Sequence, residues 1–369
     1  MTRPIVIAAG GTGGHFFPAE ALAAELLRRG HRIALMTDGR SVDYGSAVFA
    51  NTERFVLQGA GLAGRGVMKA AKGAAALVAG TVQARKLLLR LKPQAVVGFG
   101  GYPSVPPLLA ARMLGNTRPA TVLHEQNAVL GRANRLLSRG ADALALAIAQ
   151  TQRVPAEAQQ VVVGNPVRPA VAALAGQGFI QPQGSVRLLV LGGSLGAKVF
   201  SDVVPAAVAE LPAALRQRLS VVQQCRTEDL PRVRAAYEEL HIPAELSPFF
   251  GDVAGLYSTA HLVIARAGAS TVAELACAGR PSLLVPLPGA IDDHQSANAR
   301  ALADAGAAQV VPQRDFTPSG LATALQSLLE TPDALARAAA AAAALAAPQA
   351  AATLADLVLS RAAARGFQE

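Results

Sequence analysis

The chain has 369 residues, of which 51% are hydrophobic and 16% charged, a length and balance that allow two domains with full cores and point to a globular protein. No apolar run approaches the roughly 18 residues of a membrane span, and the short apolar N-terminus does not read as a signal peptide, so a cytoplasmic protein is expected. Residues 1–163 hold 19 Lys and Arg against 8 Asp and Glu, a balance of +11, whereas residues 164–369 hold 15 against 17, a balance of −2.

The positive charge is concentrated. Between Glu53 and Glu125 there is no acidic residue, while Arg54, Arg65, Lys69, Lys72, Arg85, Lys86, Arg90, Lys92, Arg112 and Arg118 supply ten cations. Neither aromatic interleaving, a helix-turn-helix nor a zinc pattern accompanies them, so nucleic acid is disfavoured against an anionic membrane surface or an anionic substrate. Cys225 and Cys277 lie in apolar segments without metal-ligand spacing and are expected to be buried free thiols.

In chain order, Arg3 to Gly10 reads as an apolar strand running into Gly10-Gly11-Thr12-Gly13-Gly14-His15, a turn of the phosphate-binding type. Pro18 is expected to open the helix that follows, which closes at Arg28-Arg29-Gly30. The glycines do not keep the dinucleotide G-x-G-x-x-G register, and only Asp38 ends the next strand, Arg32 to Thr37, in the ribose-binding manner; a nicotinamide enzyme is weakly supported. His15, at the mouth of the turn, is placed where a general base could meet a substrate.

Val67 to Leu91 reads as a basic amphipathic helix, either a membrane-facing element or an ordinary solvated face. Ala95 to Val97 forms the next strand and leads to the glycine turn Gly98-Phe99-Gly100-Gly101-Tyr102. A strand beginning at Thr121 ends in four polar side chains, His124-Glu125-Gln126-Asn127, at the end of a sheet strand where open α/β sheets place ligands. After strands at Ala143 to Ala149 and Val161 to Val163, the paired prolines of Gly164-Asn165-Pro166-Val167-Arg168-Pro169 mark a short, stiff linker.

The second half restarts the pattern. Val186 to Leu191 is apolar, Gly192-Gly193-Ser194-Leu195-Gly196 turns, and Ala197 to Leu211 is helix-like, so two similar α/β domains are expected. Further strands are placed at Leu219 to Gln223, Leu262 to Ala265, Ser282 to Leu287 and Ala308 to Val311, and a last helix from Ala350 to about Arg365.

The most informative stretch is His261 to Asn298. Leu262 to Ala265 meets a turn at Gly268, and a helix with apolar positions Val272, Leu275 and Ala276 runs to Gly279. Ala269, Ser270 and Thr271 present backbone N–H groups at the positive end of that helix, which suits a phosphate. Glu274 has two readings: a ligand-facing carboxylate one turn in, or the capping-box partner of Thr271. The loop Asp292-Asp293-His294-Gln295-Ser296-Ala297-Asn298 can close over a polar ligand, and its adjacent carboxylates lack the D-x-D spacing of a magnesium site.

Seven ordered segments, Gly10 to His15, Gly100 to Tyr102, His124 to Asn127, Gly164 to Arg168, Gly192 to Ser194, Arg266 to Glu274, and Asp293 to Gln295 with Asn298, resemble the MurG family of bacterial N-acetylglucosaminyltransferases over nearly the whole chain. The resemblance implies a GT-B fold, two Rossmann-like domains with parallel sheets facing across a cleft: residues 1–166, joined by the C-terminal helix 350–369, for the acceptor and membrane, and residues 167–349 for the donor. It implies a donor, UDP-N-acetylglucosamine, and an acceptor, lipid I, the undecaprenyl-diphosphate-linked muramyl pentapeptide, with lipid II as product. By the same resemblance Glu274 holds the ribose hydroxyls, Ala269, Ser270 and Thr271 the diphosphate, Ser194 and Arg168 the phosphate region, and the Phe250 backbone the uracil. His294 and Gln295 match the sugar-binding pair, and Asn127 with Thr12, Gly13 and Gly14 lines the other side. Leu195, Ala267 and His294 depart from the usual Gln, Ser or Gly, and second Gln of some members.

The expected chemistry is an inverting, metal-independent transfer without a cofactor, His15 acting as base and the helix start after Gly268, with Arg168, stabilising the departing diphosphate. The expected location is the cytoplasmic face of the membrane, peripherally, on aliphatic residues and charge, because the chain has no Trp. Other cell-wall and division proteins are further expected partners. The rival readings are another GT-B protein acting on a UDP-sugar, either a lipid glycosyltransferase or a UDP-sugar epimerase, and a non-catalytic membrane-docked scaffold.

Overall fold

A computed structural model describes residues 3–11, 13–39, 46–58, 67–193 and 196–367, with the backbone alone over 67–71. Among them, the apolar runs alternate with helices as α/β patterning requires, and every ladder between the strands is parallel. One compact unit lies within Met1–Arg168 and Gln349–Glu369, the other within Pro169–Pro348.

The first unit is built from β1 (Ile5–Ala8), α1 (Gly13–Arg28), β2 (Ile33–Thr37), α2 (Ala47–Ala50), β3 (Glu53–Val56), α3 (Val67–Leu91), β4 (Ala95–Gly98), α4 (Val105–Arg112), β5 (Ala120–Glu125), α5 (Arg132–Ser138), β6 (Ala143–Leu146) and β7 (Gln160–Val162). Its sheet runs β3-β2-β1-β4-β5-β6-β7, so the strand order reverses between β1 and β4. The second unit holds α6 (Pro169–Ala172), β8 (Val186–Leu191), α7 (Lys198–Glu210), α8 (Ala213–Arg216), β9 (Leu219–Gln224), α9 (Leu230–Glu239), β10 (Ala244–Ser247), α10 (Val253–Thr259), β11 (Leu262–Ala265), α11 (Ala269–Ala278), β12 (Ser282–Leu284), α12 (His294–Ala303), β13 (Ala308–Val310), α13 (Pro318–Glu330) and α14 (Ala334–Ala344). Its order is β10-β9-β8-β11-β12-β13, reversing between β8 and β11. A last helix, α15 (Ala350–Ala364), packs back on the first unit.

Successive residues of β1 serve opposite faces of the sheet. Ile5 and Ile7 join Leu22 and Leu26 of α1 and Leu354 and Val358 of α15, while Val6 joins Ala84 and Leu88 of α3 and Leu108 of α4. Asp142 fastens α15 at its far end, accepting from Arg365 and Arg118. Burial alone would raise its carboxyl, but the Arg365 and Arg118 guanidiniums hold it well below the usual carboxylate range.

Two local expectations need correction. The first helix starts at Gly13 within the glycine turn, and Pro18 lies inside it. Because proline has no N–H, it cannot donate to the Gly14 carbonyl, and the exposed Gly14 leaves that group to water. The strands β3 and β10 carry no long apolar run and escape the patterning argument; both are edge strands, half-exposed, with Glu53 and Arg54 in one and Glu245 in the other.

The basic helix α3 is helical over Val67–Leu91, and it buries Ala84 and Leu88. It runs so close to the end of β3 that a Cβ on Gly80 would meet the Gln58 carbonyl oxygen at 2.2 Å, which only glycine tolerates. Leu77 packs against the core, so the exposed aliphatic positions beside Lys72, Arg85 and Lys86 are Val78, Val82 and Leu89. No helix among the described residues is long and apolar enough to cross a membrane. Cys225 and Cys277 are buried and free.

Candidate active site

In an open parallel sheet, ligands bind beyond the carboxyl ends of the strands where the order reverses. In the first unit that point lies past β1 and β4, and the glycine turn after β1 delivers His15 to it as the third residue of α1. The turn after β4 lies against the same imidazole. Gly101 takes φ 65°, and a Cβ there would stand 3.3 Å from His15 Cδ2, so glycine serves both the backbone angle and the room.

The end of β5 supplies the polar support. His15 Nδ1 is 3.1 Å from Gln126 Oε1, and Gln126 Nε2 donates to the Phe99 carbonyl at 3.0 Å and lies 3.0 Å from His124 Nδ1. His124 Nε2 in turn lies 3.0 Å from the Gly164 carbonyl oxygen. Glu125 is fully engaged: Oε1 accepts from the backbone and side-chain nitrogens of Asn127, and Oε2 from Gly131 N and Asn134 Nδ2. It anchors Asn127 and the start of α5. Thr12 lies outside the described residues, Gly13 is buried and Gly14 exposed in the first turn of α1, and Asn127 is half-buried beyond β5.

Burial, ahead of every other influence, pushes the His124 imidazole down to about 4. An unfolded chain takes up that proton near pH 6.5, so from there down to about 4 it binds a proton the folded unit does not. The stabilisation is complete above pH 6.5, is lost as pH falls towards 4, and amounts to about 3 kcal/mol. Urea unfolding of the protein and of His124→Met between pH 7 and 4.5 checks this: the wild type is expected to lose the larger increment, and parallel curves would contradict it.

In the second unit the order reverses between β8 and β11, and both carboxyl ends carry glycine turns. Gln224, at the end of β9, braces the first of them, accepting from Gly192 N at 3.0 Å and donating to the Gly193 and Pro248 carbonyls. Ser194 and Leu195 lie outside the described residues. After β11, Gly268 is the N-cap of α11 and offers no side chain to cap it, so Ala269, Ser270 and Thr271 form the first turn with their N–H groups directed towards the positive end of the helix. Ser270 Oγ is buried with no hydrogen-bond partner among the described residues.

This geometry removes the capping-box reading of Glu274. Thr271 is the third residue of α11 and not its cap, so Glu274 sits too deep to bond back to the helix start. Glu274 is 6% exposed, and its carboxylate accepts from the Tyr257 hydroxyl at 3.3 Å. Gly279 ends the helix in the left-handed conformation, as its position requires. Phe250 is half-buried in the loop between β10 and α10. Asp292 and Asp293 both take positive φ before α12, whose first residues are His294 and Gln295. His294 Nδ1 lies 2.8 Å from the Ile291 carbonyl oxygen, and Gln295 Oε1 accepts from Leu287 N. Asn298, fully buried, donates to the Ala267 carbonyl. Arg168 packs in the first unit, its guanidinium 5.2 Å from the centre of the Phe17 ring.

Comparison with known proteins places this framework. The glycosyltransferase family 28 N-terminal domain matches residues 5–146, and the glycosyltransferase family 28 C-terminal domain matches residues 187–354. The UDP-N-acetylglucosamine--N-acetylmuramyl-(pentapeptide) pyrophosphoryl-undecaprenol N-acetylglucosamine transferase of Granulibacter bethesdensis is 61% identical, over 96% of this chain and 93% of that protein. The chain belongs to the MurG family, within glycosyltransferase family 28. The transferase of the same name from Gluconobacter oxydans is 51% identical over 98% of this chain and 99% of its own. The crystal structure of Acinetobacter baumannii MurG superposes with a TM-score of 0.78 at 33% identity, covering 97% of this chain and 99% of that one.

The α/β fold with two parallel-sheet domains is that of this MurG structure. Sequence patterning brought His15, Asn127 and the α11 turn to strand ends and Glu274 to one turn inside α11, and the structure puts them there. Patterning named Gln126 only within the polar cluster at the end of β5, and it passed over Tyr257 and Gln224. Their one signal was an amide or hydroxyl within or beside an apolar element, such as the Gln223-Gln224 pair closing β9.

Proposed function

We propose that the protein transfers N-acetylglucosamine from UDP-N-acetylglucosamine to the C4 hydroxyl of the muramyl sugar of lipid I, with inversion, forming lipid II. The observation that carries this reading is the 61% identity, across 96% of the chain, with a transferase named for that donor and acceptor. The groups present on each unit suit the step. His15 takes the proton of the attacking hydroxyl, the new C–O bond forms at C1 of the donor sugar, and the bond from C1 to the diphosphate breaks with its electron pair leaving on UDP.

The departing charge meets the N–H groups of the first turn of α11, where a helix dipole stabilises an anion without a metal. Ser270 and Thr271, with Ser194 and Arg168, hold the diphosphate; Glu274 accepts from the ribose; the Phe250 backbone reads the uracil; His294 and Gln295 hold the sugar. Thr12, Gly13, Gly14 and Asn127 line the acceptor side. Release of UDP from UDP-N-acetylglucosamine is expected to require a lipid I analogue. UDP release or C2 epimerisation without acceptor would favour the epimerase reading, and binding without turnover the scaffold.

The same reading places the protein peripherally on the cytoplasmic face of the membrane, held through α3. Its exposed face sets Lys72, Arg85 and Lys86 around Val78, 64% exposed, and Val82, 48% exposed. Each basic residue near anionic lipid contributes about 1 kcal/mol. Replacing Lys69, Lys72, Arg85 and Lys86 together by Gln is expected to weaken sedimentation with anionic vesicles at least about tenfold, and to raise the KM for vesicle-embedded lipid I. A short-chain soluble acceptor is expected to react almost normally. High salt is expected to reproduce the effect, because attraction is already screened within about 8 Å at physiological ionic strength. Equal loss with the soluble acceptor would assign these cations to acceptor binding and contradict membrane docking.

A further inference from the structure

The hydrogen bonds behind His15 have a single consistent set of donors and acceptors. The Gly164 carbonyl can only accept, so His124 Nε2 carries its proton. His124 is wholly buried and neutral, which leaves Nδ1 as an acceptor for Gln126 Nε2. The Gln126 amide cannot turn over: three acceptors, the Phe99 carbonyl, the His124 carbonyl and His124 Nδ1, surround Nε2, and an oxygen in its place would face all of them. Its Oε1 therefore points at His15 Nδ1, and only an N–H there completes the bond.

We propose that Gln126 is a positioning residue that holds His15 in the tautomer with the proton on Nδ1 and the lone pair on Nε2. The fixed end of the chain is the Gly164 carbonyl, and the direction of every bond from it to His15 follows. Among the described residues nothing donates to His15 Nε2, so the lone pair is left for a substrate proton. On the proposed reading of His15 as base, which this inference deepens, the acceptor hydroxyl gives its proton to Nε2. The Nδ1 proton stays where it is and no proton moves through Gln126, whose bond from His15 strengthens as the ring becomes cationic. Glu125, next to Gln126 in sequence, has no part in this chain, since its four bonds tie down Asn127 and α5.

The test reads the tautomer directly. Long-range ¹H–¹⁵N correlation on the full-length protein labelled at histidine is expected to show His15 protonated on Nδ1 alone at pH 8, and His124 on Nε2 alone. In Gln126→Met, which fills the space and removes both polar ends, His15 is expected to become a mixture of tautomers or to carry its proton on Nε2. With lipid I analogue, kcat of that variant is expected to fall roughly 10- to 10²-fold, with KM for UDP-N-acetylglucosamine within about twofold of wild type.

A double variant, His15→Gln with Gln126→Met, is expected to be no slower than His15→Gln alone, because the amide acts only through the imidazole. A wild-type His15 protonated on Nε2, or a tautomer unchanged in Gln126→Met, overturns the proposal; the first outcome needs no variant to fold. A tautomer that changes while kcat does not supports the role of Gln126 and overturns His15 as base.

Discussion

Replacing His15 by Gln is expected to slow turnover roughly 10²- to 10⁴-fold and to leave UDP binding nearly intact, the range for a lost general base. The expectation rests on placement: the imidazole sits past β1, at the reversal of strand order, held on one side by Gln126 and on the other by the Gly100-Gly101 backbone. Glutamine keeps the polarity and about the reach but cannot take a proton. Turnover near normal across the pH range would remove His15 from that role. Glu125 would be a poor successor, since both its carboxylate oxygens already accept two bonds each.

Glu274→Ala is expected to weaken UDP binding by about 1.5 to 3 kcal/mol, the contribution of a charged acceptor to hydroxyl donors, and to change the melting temperature little. The small effect on folding follows from α11, whose N-cap is Gly268 and whose first turn does not use the Glu274 side chain. Tyr257→Phe is the control, because the Tyr257 hydroxyl donates to that carboxylate. Calorimetry with UDP and thermal melts on both variants separates the roles. If Glu274 served only Tyr257, the two variants would lose stability alike and both would bind UDP as wild type does.

The strands of both sheet centres were legible because a strand buried on both faces needs a continuous apolar run, and Val186 to Leu191 or Leu262 to Ala265 has one. The edges were not, since β3 and β10 are half-exposed and their charged residues break the run. The glycine turns were legible in each unit, for a strand followed by glycines and a helix start suits an anion. What the pattern left open was which polar side chain does what. Glu274 fits a capping box in sequence, and only the helix starting at Ala269 shows that it cannot be one. Gln126 and His124 gain their meaning from partners at Phe99 and Gly164, residues that spacing along the chain does not connect to them.

The most direct test of the central claim is the structure of the product. Purified protein, UDP-N-acetylglucosamine and a soluble lipid I analogue are incubated, and the disaccharide is examined by proton and carbon NMR. The account predicts a β-1,4 linkage from N-acetylglucosamine to the muramyl sugar, with UDP released in equal amount and Nε2 of His15 required. An α linkage, a sugar attached at another hydroxyl, or conversion of the donor without any disaccharide would contradict it.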